Sequence, residues 1–294
     1  MKIFDCTTYF EEDLMMDLRF NILNNFVDKF VVCEARFTHS GNKKEIRFDP
    51  NNFKKFKDKI THIVVENDPV DQSTEKKLDS GEKRSNSIRR IEFQRNEILR
   101  GLKEAEENDY IIYSDNDEIP NLENFNYSKN KSKIILFKQN LYYYKFNLAY
   151  PKLDWYGSKS CKKKDLKSIS WLRNIKTKKY NFLRIDTFFS NTKYVNLRIV
   201  ENGGWHFTNL KTPEQLYQKY INDEMHSEFE NKEENIEDIK KKINQKYVNY
   251  NHFADSKSTI EKKYTNQFTL DKVSLDELPT YIKMNEEKYK DWID

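Results

Sequence analysis

The sequence predicts an α/β protein built on a mainly parallel sheet flanked by helices, and three observations carry that expectation. Continuously apolar runs recur at Ile3 to Cys6, Lys29 to Ala35, the stretch THIVVEN at 61–67, and Tyr110 to Tyr113; strands covered on both faces have no reason to alternate. Segments of helical spacing separate those runs, as the connections of a parallel sheet require. Carboxylates recur where the runs end, at Glu34, Glu66 and the cluster Asp115, Asp117 and Glu118. In such sheets ligands bind in the crevice beyond the carboxyl ends of the strands.

Taken in order, the first strand is followed by a helix from about Glu11 to Phe26, with Leu14, Leu18, Ile22 and Phe26 on one face. A short helix is expected at Asn52 to Lys59. Asp68 to Arg84 is polar and turn-rich, so it reads as a surface loop. The next helix, about Ser85 to Ala105, has an apolar stripe of Ile88, Ile91, Ile98 and Leu102, and Arg95 falls on that stripe. A guanidinium there must find an anion, either an internal carboxylate or a substrate phosphate.

Beyond Pro120, Lys133 to Leu148 reads as one or two strands, with Tyr142, Tyr143 and Tyr144 as packing residues. Lys159 to Lys167 reads as a basic, polar segment, and another structured piece begins around Trp171. Gly203 and Gly204 permit a tight turn or a close backbone approach to a ligand, presenting Trp205 and His206 as a pair. Thr212 and Pro213 open a helical part. Within it, Glu233 to Tyr250 is amphipathic and charged, a solvated face with a peripheral membrane contact as the alternative. A last helix is expected to pack Tyr281, Tyr289 and Trp292. The expected organisation is a single domain over 1–294, with an α/β core to about 210 and a helical part from about 211.

The 294 residues suffice for a substantial core. Lys+Arg 52 against Asp+Glu 48 leaves +4, too small and too evenly spread an excess for nucleic acid as a partner. Mean hydropathy is -0.96, yet aromatic residues make up 14%, so the low average comes from the surface. Cys6, Cys33 and Cys161 are far apart and lack metal-site spacing, which suits a reducing, cytoplasmic setting. No apolar run is long enough to be a transmembrane segment, and MKIFDCTTYF lacks the features of a secretory signal.

The chemistry is expected in DYIIYSDNDEIP, 109–120, where an apolar run leads into three acids and a proline. Asp115 and Asp117 are one residue apart, so an extended chain turns both to one side, where a divalent cation could engage them. A polar turn is the alternative. Glu118, beside them, is either a general base or a cap on the turn. His206 is a metal ligand, a phosphate donor, a base or a satisfied core histidine. His39 and His226 are lesser candidates, and His62 and His252 read as surface or structural.

FDCTTYFEEDLMMDLRFNIL near the start, FVVCEARFTHSG, EFQRN around Arg95, SDNDEIP and GGWHF, in that order over Lys2 to Phe207, resemble glycosyltransferase family 17, the family of the bisecting β-1,4-N-acetylglucosaminyltransferase. The resemblance implies a GT-A-like fold, a nucleotide-sugar donor such as UDP-N-acetylglucosamine, inversion at the anomeric carbon, and Mn²⁺ or Mg²⁺ held at the DxD positions Asp115 and Asp117. Asp115 is then also a donor-binding residue, Glu34 is placed to receive the ribose or base, and Arg95 braces the diphosphate or the acids. Glu118 and His206 are the candidate bases. The acceptor is expected to be a hydroxyl of a glycan, glycolipid or glycoprotein. Eukaryotic members carry an amino-terminal anchor, whereas this chain opens on the first strand, which again suggests the cytoplasm. A nucleotidyltransferase of related fold, or an inactive glycan-binding protein, are the competing readings.

Overall fold

The computed structural model describes residues 1–71, 78–181, 183–224, 226, 234–254, 258–264 and 266–294. Its first half runs β1 (Ile3–Tyr9), α1 (Asp13–Leu23), β2 (Lys29–Ala35), β3 (Ile60–Val65), α2 (Ser80–Glu97), β4 (Tyr110–Tyr113) and β5 (Glu118–Pro120). Then come β6 (Ile134–Phe137), β7 (Gln139–Tyr143), β8 (Leu148–Trp155), β9 (Lys159–Lys162), α3 (Ile169–Asn174), β10 (Leu197–Val200) and β11 (Gly204–Thr208). The last part holds α4 (Pro213–Asn222), α5 (Ile236–Asn244) and three two-residue strands, β12 (Tyr247–Val248), β13 (Phe268–Thr269) and β14 (Asp271–Lys272).

A seven-stranded sheet has the order β10-β6-β9-β4-β1-β2-β3. Strands β3, β2, β1 and β4 are mutually parallel, while β9 runs antiparallel between β4 and β6. Successive side chains of a strand point to opposite faces, and here both faces are covered. Phe30, Val32, Tyr110 and Ile112 face the core that α1 fills with Leu18, Phe20 and Leu23. Val31, Cys33, Ile111 and Tyr113 face a second core with Ile98, Leu102 and Leu172. Double coverage is why the runs in sequence are continuously apolar. All three cysteines are buried and unpaired.

Two boundaries differ from expectation. Helix α2 begins at Ser80, inside the expected loop, because Asp79 and Glu82 form a reciprocal capping box that satisfies the first amides. It ends at Glu97, and a 3-10 turn carries Ile98–Leu102; Ile88 is 39% exposed, so the buried stripe starts at Ile91. The remainder of the expected loop, 72–77, lies outside the described residues. The segment read as basic and polar, Lys159 to Lys167, begins with β9, a strand inside the sheet. Lys159 is buried there because its ammonium donates to the carbonyls of Arg173 and Ile175, both at 2.6 Å.

A five-stranded sheet, β14-β8-β7-β11-β5, packs alongside. Strand β11 pairs antiparallel with β5, setting His206 opposite Glu118. The glycine pair makes that pairing feasible: Gly204 has φ +132, and a Cβ on it would stand 2.1 Å from the Ile119 carbonyl. The close approach is thus to the chain's own backbone. The carboxy-terminal part is not wholly helical, since β14 extends this sheet against β8. Of the stretch Glu233 to Tyr250, Glu233 lies outside the described residues, and among the rest the helix spans Ile236–Asn244. The final turns place Tyr289 in the first core, ring to ring with Phe146 at 5.7 Å, with Tyr281 and Trp292 packed beside. Among the described residues no helix is long and apolar enough to cross a membrane.

One buried ion pair ties this framework to the acid turn. Arg19 on α1 donates Nε and Nη2 to Asp5 at 2.6 and 2.7 Å, and its Nη1 to the Glu118 carbonyl at 2.7 Å. Removing one partner of such a pair strands the other charge in the core. Arg19→Leu is expected to lower stability by about 3–5 kcal/mol, read from the midpoint and slope of urea unfolding; a loss below about 1 kcal/mol would contradict the buried pairing.

Candidate active site

The chain leaves β4 through Ser114 and turns at Asn116 and Asp117, closed by the Glu118 amide on the Asp115 carbonyl at 3.1 Å. The acids are therefore not on an extended segment. Glu118 caps this turn: its Oε2 accepts the Asp115 amide at 2.9 Å, and its Oε1 accepts Trp155 Nε1 at 2.7 Å. Arg173 Nη2 stands 3.4 Å from the same Oε1. Gly157 leaves room for this carboxylate, since a Cβ there would fall 1.9 Å from Oε1. With no exposed surface and both oxygens engaged, Glu118 has the geometry of the turn cap, not of the base.

Asp115 is the hub. Its Oδ1 accepts Arg95 Nη2 at 2.8 Å and the Tyr113 hydroxyl at 2.7 Å, and its Oδ2 accepts Arg173 Nε at 2.9 Å with Arg173 Nη2 at 2.8 Å. Burial opposes its charge, but Arg173 and Arg95 hold its carboxyl far below the usual carboxylate range. Arg95 also donates Nε to Tyr113 at 2.9 Å, so it finds the internal carboxylate that its place on an apolar stripe demanded. Arg173 went unnoticed in sequence; it lies 58 positions from Asp115. Its helix α3 starts at a Ser168 cap and ends on Lys159, whose ammonium binds the carbonyls of Arg173 and Ile175.

Asp117 points the other way round the turn. Its Oδ1 is 3.3 Å from His206 Nε2. Burial raises its pKa, but His206 and then Lys219 outweigh that and hold it below the ordinary value. The His206 ring lies against Trp155, centroids 4.6 Å apart, and its buried Nδ1 has no hydrogen-bond partner. Asp115, Asp117, Arg95, Arg173, His206 and Trp155 all line one cleft of about 340 Å³ at the carboxyl ends of β1 and β4. His39 reaches the same cleft, 3.5 Å from Asp223, whereas His226 binds the Asp223 carbonyl through Nδ1 at 3.0 Å.

Glu34 does not face this cleft, contrary to the expectation that it meets the ribose. It is fully buried and accepts the amides of Arg47 and Phe48, both at 2.9 Å, besides the Lys44 ammonium. Burial works against its charge, but His62 and Lys44 lead the groups that keep its carboxyl below its ordinary range. The acid at this strand end is spent on the loop that follows it. Among the described residues no cluster of three or more His, Cys, Asp or Glu side chains could hold a metal ion by itself.

An acid-and-arginine cleft at the carboxyl edge of a parallel sheet defines an α/β protein with a polar-ligand site at the switch point. The model for Glycosyltransferase family 17 matches residues 1–175, and the chain belongs to that family; it is a glycosyltransferase. No curated protein matches it. Among solved structures, the crystal structure of HddC from Yersinia pseudotuberculosis is 10% identical, covering 68% of this chain and 90% of that one, with a TM-score of 0.29. HddC from the same organism complexed with GMP-PN is 10% identical over 68% and 91%, with a TM-score of 0.27. Likeness this slight bears on neither fold nor chemistry.

Lys159 offers a pH signature beneath the cleft. Burial and the neighbouring Arg173 pull its pKa down to about 7, against about 10.4 in an unfolded chain. Between those values the unfolded state binds the extra proton, so stability rises with pH, by about 1.4 kcal/mol per unit from this group. Comparing urea unfolding at pH 7 and pH 9.5, the wild type is expected to gain relative to Lys159→Met. Equal slopes in the two proteins would refute the assignment.

Proposed function

We propose that this chain is an inverting, metal-dependent glycosyltransferase of GT-A-like arrangement, moving N-acetylglucosamine from UDP-N-acetylglucosamine to a hydroxyl of a glycan. The donor and sugar follow from the family resemblance. The observation that carries the reading is the division of one cleft into an arginine-rich half around Asp115 and an acid–imidazole half at Asp117 and His206.

Arg95 and Arg173 supply two fixed guanidiniums for a diphosphate, whose oxygens suit charge-assisted bonds. Asp115 holds both cations in place, and its four short contacts leave it a positioning group in this proposal. Asp117 and His206 would hold Mn²⁺ or Mg²⁺, the pair being 3.3 Å apart and within the cleft. Two protein donors with the rest from substrate phosphates and water is a common pattern for such ions. When bound, the ion supplies Lewis-acid stabilisation of the departing diphosphate. The protein's own residues orient donor and acceptor and neutralise developing charge. Residues 1–294 act as one domain in this proposal, because β14 and Tyr289 knit the carboxy-terminal part into the second sheet and the first core. The setting proposed is cytoplasmic, in keeping with three unpaired buried cysteines, and the acceptor glycan is free or borne on lipid or protein.

A thermal-shift panel of nucleotide sugars with Mn²⁺ or Mg²⁺ tests this. At about 100 times its dissociation constant the true donor stabilises by about 2.7 kcal/mol. That gain is expected to lose its metal dependence in Asp117→Ala. Release of UDP should accompany transfer, and Arg173→Ala is expected to cut kcat/KM by about 10²–10³. If no nucleotide sugar shifts Tm with either ion, the reading is wrong.

A further inference from the structure

Beyond the donor cleft, across Trp155, lies a second cavity of about 320 Å³. Its walls are aromatic: Tyr143, Tyr220, Tyr250, Tyr264, His252 and Trp155. The rings are set at steep angles to one another. Tyr250 meets His252 at 4.8 Å and 70°, and Tyr264 at 5.3 Å and 72°, so the cavity is walled by several ring faces. His252, expected to be merely surface or structural, bonds Tyr143 through Nε2, and burial pulls its pKa down to about 3, so the ring is uncharged. Asn209, Asn249 and Glu234 add hydrogen-bonding groups among the rings.

Flat uncharged rings interspersed with amides and a carboxylate match a pyranose, which has faces of C–H bonds and a rim of hydroxyls. The cavity's two lysines are already engaged, Lys242 with Glu234 at 2.7 Å and Lys219 with Asn209 at 3.0 Å, so the rings set its character. Trp155, Thr208, Lys219 and Asp223 line both cavities, so an occupant of the second would reach the first at this shared wall. Asp223 caps the end of α4. Its Oδ1 accepts the Glu224 amide at 2.7 Å and lies 3.5 Å from His39, while among the described residues no hydrogen bond goes to Oδ2. Burial opposes its charge, but His39 and Lys219 bring its pKa to about 2, so it is a carboxylate throughout the working range.

We propose that this second cavity binds the saccharide end of the acceptor, and that Asp223 at the shared wall is the base for transfer. The proposal rests on the reading of the first cleft as the donor site. In the step, the acceptor hydroxyl oxygen bonds to the anomeric carbon. The bond from that carbon to the diphosphate oxygen breaks, its electron pair leaving with the nucleotide, and the hydroxyl proton passes to the Asp223 carboxylate. Glu118 has both oxygens engaged in capping the acid turn, and His206 turns Nε2 to Asp117 while its Nδ1 is buried, so neither competes for that proton.

Saturation-transfer NMR on the full chain tests the cavity without needing turnover, using methyl glycosides of N-acetylglucosamine, mannose and galactose as probes. At least one is expected to bind the wild type, and Tyr250→Leu and Tyr264→Leu each to weaken it at least fivefold, with UDP affinity in the presence of Mn²⁺ unchanged within twofold. Circular dichroism confirms that each variant is folded. Absence of binding by all three glycosides, or binding indifferent to both folded variants, overturns the proposal. Glycoside binding that depends on Tyr250 with no binding of UDP would instead count against the donor reading and leave the saccharide cavity standing. Asp223→Asn is expected to retain both ligands and lose at least 10²-fold in UDP release driven by the bound glycoside; unchanged release overturns its role as base.

Discussion

The cleft depends on one partly buried carboxylate satisfying two arginines. Asp115 sits where β4 ends, Arg95 comes from α2 and Arg173 from α3, so three elements distant in sequence are held by a single charge. Each guanidinium would be costly to bury alone, and together they would repel. The carboxylate makes the pair affordable, and Tyr113 supplies one more donor. Glu118 meets Arg173 at 3.4 Å and offsets the second cation, so the ensemble is balanced within itself and its first role is structural.

The rest of the site is built as support for that hub. Arg19 grips Asp5 in the core and reaches the Glu118 carbonyl, so α1 steadies the acid turn from beneath. Trp155 and Gly157, at and just beyond the end of β8, secure and make room for the Glu118 side chain. Lys159 fastens the end of α3 through the carbonyls of Arg173 itself and of Ile175. These contacts are short and mostly buried, conditions under which electrostatic groups cost no reorganisation when charge develops on a substrate.

What could be read in sequence follows the same physics. Strand β2 was legible to its ends because a doubly covered strand is apolar throughout. Arg95 announced itself as a charge on an apolar stripe. Strand β9 was hidden because KSCK looks like surface, and only the carbonyls at the end of α3 make a lysine tolerable there. Arg173 gave no local sign, for its partner is remote and its helix is six residues long. Glu34 looked like a ligand-facing acid from its strand-end position, yet the amides of its own loop consume it. Position relative to a strand is local information; whether a carboxylate's lone pairs are already taken is not.

The insertion of β9 between β4 and β6 bears on how the molecule comes to exist. While the chain is still emerging from a ribosome, β4 has an open flank until residues 159–162 appear, and Asp115 lacks one of its cations until Arg173 follows. His206 arrives later still. A nascent chain that stops short of residue 162, a little over half of the 294, therefore carries an unpaired sheet edge, a natural template for wrong partners, until a lysine-bearing strand closes it.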